Sequence, residues 1–301
     1  MLIQRDLPGG PYKAAEIGAA GRMRAAGVLA ALGSAHTGDV FDLDAGRWAG
    51  MGVLPGHPPF LMTTYRTPRG NDVDSASGHT NVGLHDRTGV LTELLVGTAH
   101  TGTHVDALCH VSAGDELFGG AQVDMHLGDS GSRWADIASL APLVCRGVLI
   151  DVAGSKGVSA LPKGYAVTAA DIEAALAIQA ISIRPNDAVL VRTGYMSVWQ
   201  TAEAPKHYGS GLTLESATML ADAGAVFIAA DTEDFEAIPA APGEPFLPVH
   251  RELLVRRGIA IGELFFLEEL AARGVCEFLF LCTPLRISGA TGSMVRPVAI
   301  A

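Results

Sequence analysis

An α/β layered domain is the fold class this sequence predicts, and three observations predict it. From about residue 146 onward, apolar and β-branched runs alternate with segments of helical length. Of the 301 residues, 49% are hydrophobic and 18% charged, enough to bury a sizeable core. No internal repeat, low-complexity tract or clean linker divides the chain. The reading is therefore one domain over 36–301, preceded by a helical extension over 1–35.

Residues 12–33 are rich in alanine, with Met23, Val28, Leu29 and Leu32 spaced for one helical face and Gly33 as a stop. VFDL at 40–43 reads as a short strand. Residues 44–90 hold many Gly, Pro, Asp and Asn and little periodicity, so they read mostly as loop. A loop that long in a compact domain is usually functional, as the wall or lid of a site. RGVLIDVA (146–153) and DAVLVRTG (187–194) then read as strands. Between them Thr168 caps TAADIEAALAI, with Asp171 closing a short capping box. A helix near 214–223, a strand at 225–231, a helix near 248–257, a strand at 258–264, a helix at 267–273 and a strand at 276–286 complete the series.

Composition excludes several roles. A formal net charge of −11 repels phosphate backbones and anionic lipid, so neither nucleic acid nor a membrane is the expected partner. Cys109, Cys145, Cys276 and Cys282 form no C-x-x-C pair, which fits a reducing compartment. The N-terminus shows no basic segment followed by an apolar one, and no apolar run reaches the ~18 residues of a spanning helix. The expectation is a soluble, cytoplasmic protein.

The stretch 98-TAHTGTHVDALCH-110 carries the chemistry. Three of the ten histidines fall within eleven residues, together with Asp106. Imidazole and carboxylate together suit Zn²⁺ or Mn²⁺, and the lack of paired cysteines argues against a purely structural zinc site. On a straight strand His100 and His104 would lie about 13 Å apart, at ~3.3 Å per residue, too far to share an ion. On a continuous helix they would meet, but Asp106 would then sit roughly 200° around from His104. If the three side chains meet, the backbone must curl through a loop, and Gly102 is the residue that permits it. Thr103 beside it offers a hydroxyl for a supporting hydrogen bond. His110, just beyond Asp106, is the candidate general base and later acid, with a further ligand or an orienting group as its alternative.

The segment resembles the signature H-x-G-T-H-x-D-x-P-x-H of the cyclase family of metal-dependent hydrolases, which includes bacterial kynurenine formamidase and isatin hydrolase. His100, Gly102, Thr103, His104, Asp106 and His110 match, while Leu108 replaces the family's proline. The likeness continues through DAVLVRTGY (187–195), GLTLESATMLADAG (211–224), His250 with Glu263, and TPLRISGATGSMVRPVA (283–299). The resemblance implies a swivelling β/β/α fold, a homodimer or homotetramer, and one or two Mn²⁺ or Zn²⁺ ions per subunit. It implies that His100, His104 and Asp106 hold a first ion, that Asp106 bridges, that His250 and Glu263 complete a second site, and that His110 relays protons.

The expected activity is hydrolysis of a C–N bond in a small amide, arylformamide or cyclic amide. A lactone hydrolase with the same metal centre, a metal-dependent lyase or ring-closing enzyme, and a non-catalytic binding protein are the alternatives. Several lesser candidates complete the reading. Cys109 beside His110 invites a nucleophile reading, but neighbours in an extended chain point opposite ways. His57, His79 and His85 lie in the long loop and can line a site or simply sit on the surface. Trp48, Phe60, Tyr65 and Trp134 are candidates for an apolar pocket around an aromatic or cyclic substrate, against ordinary core packing. Asp231 and Glu233 follow a strand where α/β sheets place site residues.

Overall fold

The structure, a computed structural model, describes residues 15–23, 25–77, 89–199 and 209–301. In chain order its longer strands and those of its main sheet are β1 (Val40–Asp42), β2 (Leu61–Arg66), β3 (Thr92–Val96), β4 (His104–Asp106), β5 (Leu143–Asp151), β6 (Ala188–Arg192), β7 (Phe227–Ala230), β8 (Ala260–Glu263), β9 (Glu277–Cys282), β10 (Gly292–Met294) and β11 (Val298–Ile300). Nine of them form one mixed sheet in the order β1-β11-β9-β5-β6-β7-β8-β4-β10. The centre, β5-β6-β7-β8, is parallel, and its two flanks are antiparallel. This is the α/β class expected from the alternation of runs.

The parallel strands are buried along almost their whole length, which is why they read as continuous apolar runs rather than as alternation. Phe227 stacks on Phe280 with ring centroids 5.7 Å apart, and Val148, Leu190, Ile228 and Phe278 of the same sheet are fully buried. Each such side chain contributes about 1.5–3 kcal/mol by leaving water. Helices α3 (Ala169–Gln179) and α4 (Leu214–Asp222) pack on each other, with α3 also against β5. Both begin at a threonine whose hydroxyl accepts from the amide three residues on, Thr168 from Asp171 and Thr213 from Ser216. The helix expected over 248–257 starts at Pro248 and is π-helical over Arg251–Arg257. No helix among the described residues is long and apolar enough to cross a membrane.

Three expectations are corrected. The helix over 12–33 is broken into a 3₁₀ turn (Gly18–Arg22), α1 (Ala25–Ala31) and a second 3₁₀ turn (Leu32–Ser34). Its buried apolar residues are Ala19, Ala20 and Ala31, whereas Leu29 and Leu32 face solvent. An alanine-rich stretch carries too little apolar contrast to fix one face from the large residues alone. The segment 44–90 holds β2 and helix α2 (Pro68–Ala76) besides its loops. Finally, the strand expected over 276–286 runs only over Glu277–Cys282 and ends before Pro284, which has no amide hydrogen for a ladder.

Candidate metal centre

The site forms where antiparallel β4 meets the C-terminal end of parallel β8. In their register Glu263 lies opposite His104 and Ile261 opposite Asp106. Residues two apart on a strand share a face, so His104 and Asp106 project the same way as Glu263. His100 belongs to the turn before β4. Gly102 there adopts φ +59, and a Cβ on it would stand 3.0 Å from the Gly46 carbonyl oxygen and 3.2 Å from Arg47 Cγ. That turn folds the chain back and brings His100 Nδ1 to 2.8 Å from Asp106 Oδ1. On the other side of β4, Gly292 lies opposite Asp106, and a Cβ there would stand 2.6 Å from His100 Cε1. Only glycine leaves room for that ring.

His250 enters from the start of the helix at Pro248–His250, with Nε2 3.3 Å from Glu263 Oε1 and 3.7 Å from Asp106 Oδ2. His104 Nε2 lies 3.1 Å from Glu263 Oε2 and 3.6 Å from Asp106 Oδ1. These four side chains close a ring of alternating nitrogen and oxygen. Bonds of about 2.1 Å would place neighbouring ligands of one ion roughly 3.0–3.4 Å apart, close to the separations seen here. His110 adds a further imidazole, stacked near His100 with centroids 4.1 Å apart and Nε2 4.0 Å from Asp106 Oδ2. Asp106 Oδ2 is itself fully buried without a hydrogen-bond partner. A buried carboxylate oxygen left bare among imidazole nitrogens is the signature of a place for a cation. The all-N/O donor set fits a divalent transition metal such as Zn²⁺ or Mn²⁺.

The six residues of the sequence analysis are thus brought together, though in different groups from those the resemblance implies. Donor atoms of His104, Asp106 and Glu263 lie within 4.8 Å of one another, as do those of His100, Asp106 and His110. His100 sits apart from His104's group: its Nδ1 is on Asp106 and its Nε2 lies 2.9 Å from the Thr291 hydroxyl.

The electrostatics follow from burial. Burial alone would raise the Asp106 carboxyl, but the imidazoles of His110 and His100 hold it well below the carboxylate range. Burial and the Asp106 charge likewise oppose ionisation of Glu263, and hydrogen bonds from His104 and His250 outweigh them. Burial works against a charged His250, yet the Glu236 and Glu263 carboxylates lift it to about 10. His104 is raised as well, by Glu263 and Asp106 against burial. His110 goes the other way: burial pushes it down to about 4.

Glu236 and Arg47, which sequence reasoning missed, hold the site in place together with Thr103 and Gly102, which it named. Glu236 accepts from His250 Nδ1 at 2.5 Å and from the backbone amides of Val249 and His250, so it caps the helix and turns His250 Nε2 inward. Arg47 anchors on Asp44 and donates to the carbonyls of Thr101, Thr103 and Val295, pinning the turn around Gly102. The Thr103 hydroxyl donates to Leu264 O at 2.6 Å and accepts from Ala45 N. His104 Nδ1 lies 2.7 Å from Gly102 O, which as a donor there leaves Nε2 the lone pair. Neither Glu236 nor Arg47 has a local motif that would announce it.

The lesser candidates separate. His57 and Glu233 line a small cavity of about 20 Å³ with His100, His104 and Glu263. His79 and His85 lie outside the described residues. Asp231 is buried and accepts from Thr193 N, Thr193 Oγ1 and Gly194 N, so it shapes the turn after β6 rather than facing the cavity. Burial pushes the Cys109 thiol up to about 12, which leaves it inert as a nucleophile. The four aromatics do not converge. Phe60 is buried with Met51, Trp199 and Leu264, and Trp48 meets Trp199 edge-on at 5.7 Å. Tyr65 points into solvent, and Trp134 donates to Phe118 O.

A mixed sheet with imidazoles and carboxylates gathered at the end of its parallel strands defines a metal-site α/β protein. Residues 48–237 match the family model described as "Putative cyclase", and the chain belongs to that family. Among solved structures it is similar to a novel cyclase, 29% identical with a TM-score of 0.82, covering 95% of this chain and 96% of that one. An isatin hydrolase bound to the product analogue thioisatinate is 19% identical with a TM-score of 0.65, covering 93% of this chain and 99% of the other. Isatin hydrolase A from Labrenzia aggregata, bound to benzyl benzoate, is 20% identical with a TM-score of 0.60, covering 87% and 93%. The latter two likenesses are of fold. No curated protein matches the sequence.

Proposed function

We propose that the chain is a metal-dependent hydrolase that cleaves a C–N bond in a small amide, arylformamide or cyclic amide. The observation that carries the reading is the bare, buried Asp106 Oδ2 inside a ring of His104, Glu263 and His250 donors. The solved structures of similar fold that are described as isatin hydrolases support the substrate class. When bound, Zn²⁺ or Mn²⁺ polarises a scissile carbonyl and acidifies water near neutral pH.

The residues of the chain divide the remaining work. His104, Asp106, Glu263 and His250 supply the cation's ligands, with His100 within reach through Asp106. Glu236 and the Gly102 carbonyl orient the rings of His250 and His104. His110 is the proton carrier. Its depressed pKa keeps the ring neutral, and 27% of its side chain is exposed, so it can accept a proton from water and return it to the departing nitrogen. Gly52, Val53, Leu54 and Leu264 form the apolar wall of the cavity, which suits a substrate with an apolar body.

Metal content of protein purified without added metal, followed by an activity screen over formanilides, isatin-like lactams, imides and lactones, tests the reading. Stoichiometric metal with turnover of a formanilide or lactam is the expected result. Metal-free protein that takes up no Zn²⁺ or Mn²⁺ on reconstitution overturns it, and turnover of lactones alone replaces the amide with an ester.

A further inference from the structure

A cleft opens between α1 and the sheet, at the end of the parallel strands remote from the metal centre. Residues 144–146 at the start of β5 and 184–187 before β6 line it, whereas Glu263 is the last residue of the parallel strand β8. The alanine-rich sequence of α1 leaves this space. Leu29 and Leu32 face solvent, while Gly27, Ala30 and Ala31 border the gap without the bulk to fill it. A volume of about 240 Å³ remains, far more than the water-sized voids of a packed interior.

The lining combines apolar surface with positive charge. Met23, Val28, Val144, Cys145 and Pro185 supply the first. Arg22, Arg146 and Arg184 supply the second, against the single carboxylate of Asp187. That carboxylate is already committed: Oδ2 accepts from Arg146 Nη1 and from the Arg184 amide, both at 2.6 Å. Arg146 is 7% exposed; its terminal nitrogens hold Asp187, Glu277 and the Ser182 carbonyl, and its Nε is buried with no hydrogen-bond partner. A buried N–H without an acceptor costs free energy until something accepts from it. Arg22 is held by Nη2 donating to the Ala225 carbonyl at 2.8 Å, and among the described residues it pairs with no carboxylate. The two anchors are neighbours, since Val226 N donates to Asp187 O at 2.9 Å. Two guanidiniums with unmet demand therefore reach the same part of the cleft.

We propose that this cleft binds a small monocarboxylate with an apolar body, its carboxylate facing Arg22 and Arg146 and its body lying between α1 and β5. A guanidinium takes a carboxylate in a planar fork. Glu277 sits on Arg146 outside the lining, so three arginines face two carboxylates and one positive charge is left to match. That balance favours a monoanion over a phosphate. The volume lies below the roughly 300–1,000 Å³ of pockets for drug-sized ligands, which suits a body of one ring.

Calorimetric titration of the full chain with cyclohexanecarboxylate tests the proposal, beside its neutral amide and acetate. The ring carboxylate is expected to bind with a Kd on the order of 0.1–1 mM, and the amide and acetate about tenfold more weakly or worse. Arg22→Gln should weaken binding about tenfold, and Val28→Trp, which fills the cleft, should abolish it. Asp106→Asn, at the other end of the strands, should leave it unchanged. No binding of the ring carboxylate, equal binding of the amide or of acetate, or binding indifferent to both cleft substitutions overturns the proposal. So does loss of binding in Asp106→Asn, which would put the ligand at the metal centre. Should the cleft variants not fold, hydrogen exchange of wild type decides: the ring carboxylate is expected to slow amides of 25–31 and 184–187. Slowing confined to β4 and β8, or found nowhere, rules the cleft out.

Discussion

Paired carboxylates occur in two kinds of setting on the same sheet, and the cation that faces them differs. Where β5 and β6 end, Arg192 holds Asp151 at 2.8 Å and Glu268 at 2.6 Å; at the opposite ends of the same strands Arg146 holds Asp187 and Glu277, both at 2.6 Å. Those clusters are closed, because a guanidinium never gives up its proton. Around Asp106 and Glu263 the ion pairs of the described residues are all with imidazoles: His100, His104, His110 and His250. Imidazole protons are removable near neutral pH. The arginine clusters fasten strands together, whereas the histidine cluster, on the proposed function, would exchange protons for a metal ion.

The largest expected effect breaks the histidine side of this contrast. Asp106→Asn keeps the shape and removes the charge that faces all four imidazoles. Metal content by elemental analysis should fall below stoichiometry, and kcat/KM against the substrate found in the screen should drop by a thousandfold or more, the order expected when catalysis loses its charge-stabilising centre. Folding should survive. Arg192→Ala is the mirror experiment. It strands Asp151 and Glu268 without a cation and should cost about 3 kcal/mol in a urea denaturation series, with metal content per folded chain unchanged. If the two variants fail in the same way, the division into fastening and exchanging clusters is wrong.

Linkage sharpens the point. His250 has its folded pKa raised to about 10, so its contribution to the stability of the metal-free protein is fully present below the unfolded value near 6.5 and is lost as pH rises toward 10. Chelator-treated protein should therefore lose on the order of 2–4 kcal/mol between pH 6.5 and 10, while the metal-loaded protein, whose His250 is already deprotonated, should not. Metal binding at pH 7 should release protons, and affinity should rise with pH. Titration calorimetry in two buffers of different ionisation enthalpy measures that release, and a release of zero would contradict the exchange. A smaller effect belongs to Glu236→Gln, which leaves the ligands intact but weakens the orientation of His250; a 10- to 100-fold loss of metal affinity is expected.

What was legible in the sequence follows the distance over which each feature is decided. The cluster from His100 to His110 stands out because its members are close in sequence, and the turn at Gly102 follows from the geometry that clustering demands. Thr168 and Thr213 begin their helices through contacts three residues long, and the parallel strands announce themselves by burial on both faces. Glu236 reaches His250 across a loop of fourteen residues, and Arg47 reaches Thr103 across fifty-six, so neither leaves a local pattern. His250 and Glu263 entered only through resemblance to a family. Strand β2 is hidden for another reason: Leu61–Arg66 sits inside a Gly- and Pro-rich stretch, with apolar residues on both faces, so no one-sided strand period shows.

The smallest expected effect tests where the histidine cluster ends. His57 lies 6.0 Å from His100 between ring centroids, lines the same cavity, and has a buried Nδ1 with no hydrogen-bond partner. Burial and the His100 imidazole lower its pKa, against the opposing pull of Glu263 and Asp106. It belongs on the substrate side of the cavity rather than among the ligands. His57→Ala should therefore leave metal content and the pH dependence of metal binding unchanged and raise KM severalfold, about the worth of one hydrogen bond to a neutral group. A tenfold loss of metal affinity in this variant would instead make His57 a fifth imidazole of the exchanging cluster, and the boundary drawn here would move outward to the loop that carries it.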